Sequence, residues 1–197
     1  VVEAGYKAVA WKTAKLYPKA GTTGSAEGVD FRKIDELLPV LEMMERLGIK
    51  KFAYDWREKD IPTFDQELDA LQKQGIELTA FWFPTPLDPA KEKNPRLILD
   101  FLARRKVKTQ LWLSVVVPKE FANLSQEEKV RTVAKPVAWV AAEAKKIGCS
   151  VALYNHGGWY GEPDNQIAVI REVKASNLGI AYNFHHAHEH ITQFPQL

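Results

Sequence analysis

The chain has 197 residues, a net charge of +2 and an ordinary balance of 46% hydrophobic and 26% charged residues. That composition excludes disordered and collagen-like classes, and the length suits one domain burying roughly 70% of its unfolded surface. A single cysteine, Cys149, excludes an intrachain disulfide framework and a multi-cysteine zinc site.

Residues 1–29 are the least regular part. Tyr6 to Trp11 can form a first strand, but Leu16 to Gly28 would then be a long loop, which weighs against that assignment. Asp30 is placed to cap a helix whose apolar residues Ile34, Leu37, Leu38, Leu41 and Met44 follow the helical period, ending at Gly48. Lys51 to Arg57 reads as a short strand ending in polar groups. Pro62 to Gln74 reads as a helix with proline in its first turn. Ile76 to Phe83 is a strand, broken by Pro84 and Pro86, and Asn94-Pro95 opens the next helix. Leu111 to Val117 has the look of a fully buried strand.

Ser125 and Glu128 make a capping box for a long helix that ends at Gly148, with Pro136 kinking or restarting it. Val151 to His156, a helix from Pro163 to about Ser176, and a strand from Leu178 to His185 complete the series. Strand and helix alternate, which calls for a parallel sheet covered by helices. A doubly wound sheet and an incomplete (β/α)8 barrel both satisfy the pattern.

Both architectures gather function at the C-terminal ends of their strands. Asp55, Trp82, Asn155, His156, Asn183 and His185 fall there. All five histidines lie in the last quarter, four of them within His185 to His190. In Tyr154 to Pro163, glycines free the backbone while Trp159 and Tyr160 offer flat faces suited to a sugar. Glu162 precedes a helix-opening proline, where a carboxylate is favoured by the helix dipole whether or not it has a further role. In a helical turn His185 and His188 would face together and chelate a divalent metal; extended, His186, His188 and His190 would share a face.

Leu153-Tyr154-Asn155-His156-Gly157-Gly158-Trp159-Tyr160-Gly161-Glu162-Pro163 and Tyr182-Asn183-Phe184-His185-His186 resemble a bacterial branch of the sugar phosphate isomerase/epimerase family, the xylose isomerase-like barrels. Tyr54-Asp55-Trp56-Arg57 resembles that branch's second strand. The resemblance implies an α/β fold, a (β/α)8 TIM barrel of which about six units are present over residues 30–197, with residues 1–29 an uncertain N-terminal segment. It implies strands seven and eight beyond the chain, and an open-edged product prone to association when isolated. Better-known members hold a divalent metal, commonly manganese, with a Glu ending strand five and an Asp ending strand six. Those positions fall on Tyr154 and Tyr182, while the histidine of the strand-six Asp-x-x-His signature falls on His185.

The expectation is therefore an isomerase or epimerase acting by proton transfer at a carbon next to a carbonyl. His156, Glu162 and His185 are its acid/base candidates, and Asp55, Trp82, Asn155, Trp159 and Asn183 its substrate contacts. A non-catalytic carbohydrate-binding relative is the alternative. His185 and His188 are the metal candidates; manganese, zinc or cobalt and no metal at all stand as equal alternatives. The expected partner is a small sugar or sugar phosphate, with no nucleic acid and no membrane; a homo-oligomer is compatible. The start at Val1-Val2-Glu3 reads as a processed or truncated product, cytoplasmic by default, periplasmic or secreted if a signal peptide has been removed.

Overall fold

The structure is a computed structural model that describes residues 10–11 and 34–187. The Asp30 cap and His188 lie outside the described residues. Two compact units divide the chain between Phe81 and Trp82, inside one strand.

The first unit pairs three parallel strands in chain order, β1 (Ala10–Trp11), β2 (Lys51–Tyr54) and the start of β3 (Glu77–Thr85). Helix α1 (Ile34–Arg46) places Leu41 and Met44 in full burial, as their helical spacing predicts. Strand β2 is shorter than expected, because Asp55, Trp56 and Arg57 turn out of the sheet. Pro62 does not open α2 (Phe64–Lys73) but lies inside a preceding 3-10 turn, Glu58–Thr63. That turn is held by the Asp60 carboxylate accepting from the Arg57 N–H at 2.8 Å. Tyr54, Phe64 and Phe81 form the aromatic centre of the unit: Tyr54 stacks on Phe81 at 5.1 Å, and Phe64 meets both edge-on.

The second unit continues from the end of β3 through β4 (Gln110–Val115), β5 (Ser150–Tyr154) and β6 (Leu178–Ala181), again parallel and in chain order. Contrary to expectation, β3 does not break at Pro84. Proline offers no N–H there, but the next residue keeps the ladder: the Thr85 carbonyl accepts from the Val116 N–H at 2.8 Å. Helix α3 (Lys93–Arg104) buries Ile98, Leu99, Phe101 and Leu102.

Helix α4 (Gln126–Lys146) runs through Pro136 without interruption. Pro136 is buried with Val133, Val137, Val140 and Ala141, and that packing offsets the lost helical hydrogen bond. The expected capping box is present, with Ser125 Oγ accepting from the Glu128 N–H and the Glu128 carboxylate accepting from the Ser125 N–H. Helix α6 (Pro163–Val173) packs on α4 and stops at Lys174, whose φ of 56° takes the left-handed cap.

Along β4 the side chains alternate: Leu111, Leu113 and Val115 are buried, while Gln110, Trp112 and Ser114 stay half-buried on the other face. Strand β5 is buried from Val151 to Tyr154. No described helix is long and apolar enough to cross a membrane.

Candidate functional site

The C-terminal ends of β5 and β6 are joined by a side chain. The Asn155 amide accepts from the Asn183 backbone N–H at 2.7 Å and donates to the Asn183 carbonyl at 3.1 Å. One buried amide thus imitates a strand backbone and carries the ladder past Tyr154↔Ala181, the last paired residues of the two strands. The Asn183 side chain is engaged as well, donating to the Tyr154 hydroxyl and accepting the His185 backbone N–H at 2.9 Å. That second bond is an Asx turn, followed by a turn closed by His186 N–H on the Asn183 carbonyl. The histidine segment is therefore not extended at its start; it folds back directly after β6.

The fold-back brings His186 to the site. Its ring lies 4.7 Å from that of His156 and 5.5 Å from that of Tyr154, edge-on to both, and His185 follows at 5.2 Å. Tyr154 is the floor of the cluster. It stacks on Trp112 at 5.5 Å with only 7° between the planes and meets Trp82 edge-on at 5.2 Å. Trp82 also lies 5.3 Å from His156. Three successive strands thus supply an aromatic wall carrying imidazoles at its rim. Tyr154 is 2% exposed, whereas His156, His185 and His186 are open to solvent.

Beside the wall is a cavity of ≈ 190 Å³ lined by Asn155, Gly157, Glu162, Tyr182 and His186 among others. Gly157 and Gly158 shape its rim at φ values of 86° and 62°, a backbone that side chains with a Cβ rarely adopt. A one-turn helix, α5 (Gly158–Gly161), follows. Its Tyr160 is buried and donates its hydroxyl to the Leu113 carbonyl at 3.0 Å, fastening the glycine loop to β4. Burial pushes the Tyr160 phenol well above its ordinary range.

The expected site residues separate into three groups. Trp82, Asn155, His156, Glu162, Asn183 and His185 gather at this end of the second unit. Asn155 and Asn183 spend their amides on the strand junction. Trp159 is committed elsewhere: its indole N–H donates to Gln126 at 2.8 Å, and its ring meets Phe121 edge-on at 5.3 Å. Gln126 in turn donates to Asn165, which donates to the Trp159 carbonyl, so the three residues close a ring that ties α4 to α5 and α6. Asp55 belongs to the first unit, where it pairs with Arg57 at 2.5 Å.

Sequence reasoning ranked His185 above His186 and passed over Trp112. Parity was the available signal for Trp112: it alternates with Leu111 and Leu113, so it lies on the face opposite the buried leucines. His186 had no such signal, because its placement follows from the turn that Asn183 closes.

The carboxylate-held metal implied by the resemblance does not fit this site. The resemblance puts Tyr154 and Tyr182 at the positions of its two carboxylates, and the Tyr154 hydroxyl already accepts from the Asn183 amide. Among the described residues no group of three or more His, Cys, Asp or Glu could hold a metal ion.

The fold has counterparts among solved structures. The probable 3-DHS dehydratase AsbF from Bacillus anthracis superposes with a TM-score of 0.61 at 16% identity, over 98% of this chain and 69% of that one. A 3-keto-D-glucoside 4-epimerase from E. coli gives the same TM-score and identity over 81% of this chain and 68% of that one. The fold is that of the xylose isomerase-like TIM barrels. Six of its parallel strands are described here.

Sequence comparison points elsewhere. Over 97 residues, 49% of the chain, it is 34% identical to a dihydroorotase from Rhizobium meliloti, covering 24% of that protein. A dihydroorotase from Enterobacter sp. is 40% identical over 67 residues, 19% of its length. The chain thus spans about a quarter or less of the curated relatives it matches. No family model matches it.

Proposed function

We propose that the protein is a sugar isomerase/epimerase-like barrel that moves a proton at a carbon next to a carbonyl, with His156 and His186 as proton carriers. The observation that carries this reading is the pair of imidazoles 4.7 Å apart above Tyr154, at the ends of adjacent strands. Neutral imidazole is a competent base at neutral pH, and its conjugate acid a competent donor. One imidazole takes the proton from the carbon, the carbonyl oxygen receives a proton from the other imidazole or from Glu162, and an enediol forms. Returning a proton to the neighbouring carbon, or to the other face of the same carbon, while the hydroxyl on the carbon that becomes the carbonyl gives its proton back to the donor imidazole or to Glu162, completes isomerisation or epimerisation. No charge is created or lost over the cycle.

His185 supports the pair from the next position, and Trp82 and Trp112 supply faces for the C–H side of a sugar ring. The E. coli 3-keto-D-glucoside 4-epimerase, whose name places epimerisation beside a keto group, belongs to the same class of chemistry.

Two other readings have their own support. The tyrosines at positions 154 and 182 favour carbohydrate binding without turnover, and the dihydroorotase likeness favours action on dihydroorotate. The test is a panel of aldoses, ketoses, keto-glucosides and dihydroorotate, followed by solvent-deuterium incorporation. Deuterium entering a sugar carbon, with loss of about a hundredfold or more in rate for His156→Ala and for His186→Ala, supports the proposal. Sugar binding without exchange selects the binding reading, and turnover of dihydroorotate alone selects the third.

A further inference from the structure

We infer that Gln166 is a substrate-binding residue whose amide reads a sugar hydroxyl, so that the site selects against the matching deoxy sugar. This rests on the sugar reading above and sharpens its substrate class. Gln166 is fully buried at 0% exposure, yet neither its amide nitrogen nor its amide oxygen has a hydrogen-bond partner among the described residues. Such groups are costly inside a protein, and an unmet donor and acceptor in one side chain call for a cause. Thr109 Oγ1 and Asn177 Oδ1 share that state, but they precede β4 and β6, at the end of the sheet away from the site.

Gln166 lies in the first turn of α6, at the site's end of the sheet. Its backbone N–H donates to the Glu162 carbonyl at 3.0 Å. Pro163, three residues before it on the same helix face, lines the cavity together with Glu162. Helical side chains lean toward the helix N-terminus and cover the preceding turn. The amide is therefore directed toward the turn that walls the cavity, and a change of its own rotamer brings it in without movement of α6. There it offers an acceptor and donors, the complement of a hydroxyl that both gives and takes a hydrogen bond. The same turn carries Glu162, so a sugar held by Gln166 lies beside a proposed proton donor. A ligand without that hydroxyl would leave the amide unpaired.

The first test is the thermal midpoint of Gln166→Met in the full chain, a side chain of similar length without the amide. The midpoint is expected to rise by at least about 2 °C, because unmet polar groups leave the interior. An unchanged or lower midpoint means that the amide is already satisfied within the fold, and overturns the inference. The second test is titration with D-glucose, D-fructose and D-xylose and their monodeoxy analogues, read by NMR shifts. The wild-type protein should bind one deoxy analogue at least about tenfold more weakly than its parent sugar. Gln166→Met should bind that parent more weakly and lose the difference. No discrimination in the wild-type protein, or the same discrimination in Gln166→Met, with deuterium exchange into sugars intact, overturns the inference alone. Failure of every sugar to bind or exchange defeats the sugar reading itself, and the inference with it.

Discussion

The Asn155 side chain holds both backbone polar groups of Asn183, at 2.7 Å on the N–H and 3.1 Å on the carbonyl. Through this one contact the end of β5 dictates where the chain goes after β6. Asn183 passes the constraint on through its own amide, to the Tyr154 hydroxyl and the His185 N–H. Asn155→Leu keeps the volume but leaves two backbone groups short of partners, at a cost of about 2 kcal/mol. Urea unfolding should show that loss, and the ring contact of His156 with His186 should weaken in NMR spectra of the variant.

Tyr160→Phe removes the hydroxyl on the Leu113 carbonyl and leaves a buried acceptor unpaired. About 1 kcal/mol of stability should disappear, read from the urea midpoint at constant m-value.

Alkaline titration should separate the tyrosines. Burial, followed by the Glu67 carboxylate, pushes the Tyr54 phenol well above its ordinary range, and burial does the same for Tyr160. Their folded pKa values exceed the unfolded value of about 10, so their contribution to stability is complete below pH ~10 and is lost as pH rises beyond it. Absorbance at a tyrosinate wavelength should rise for these two in step with unfolding. Independent ionisation of both in the folded protein would contradict the burial assigned to them.

Cys149 is buried, its thiol raised by desolvation and donating to the Val107 carbonyl at 3.5 Å. A thiol held neutral and covered does not attack disulfide reagents. The expected result is no reaction with an aromatic disulfide at pH 8 in buffer and one equivalent in urea.

The ring of Trp159, Gln126 and Asn165 predicts a structural phenotype at a position that sequence alone assigns to sugar contact. Trp159→Phe keeps the packing on Phe121 but loses the bond to Gln126. It should lower the thermal midpoint while leaving the sugar affinity of the proposed site nearly unchanged; Trp82→Ala should lower that affinity.

Much of the fold was legible in the residues themselves. The buried Leu41 and Met44 of α1 and the capping box of α4 follow from local rules, because periodicity and capping act over a few residues. Leu111 to Val117, expected to be fully buried, instead alternates between buried and half-buried along β4. The strand ends were equally legible as places where polar and aromatic side chains gather, since parallel sheets expose side chains there. What local rules misjudged were the prolines. Pro84 stays within β3 because the next carbonyl finds Val116, and Pro136 stays within α4 because its burial compensates, and both depend on partners distant in sequence.

The sequence by itself determined the alternation of strands and helices and the chemistry available at the strand ends. Only the tertiary structure decided which groups meet. His186 rather than His185 faces His156, Trp112 underlies Tyr154, and Trp159 serves the scaffold. The physical reason is that these choices rest on strand pairing and on side-chain hydrogen bonds between residues distant in sequence, which no local propensity encodes.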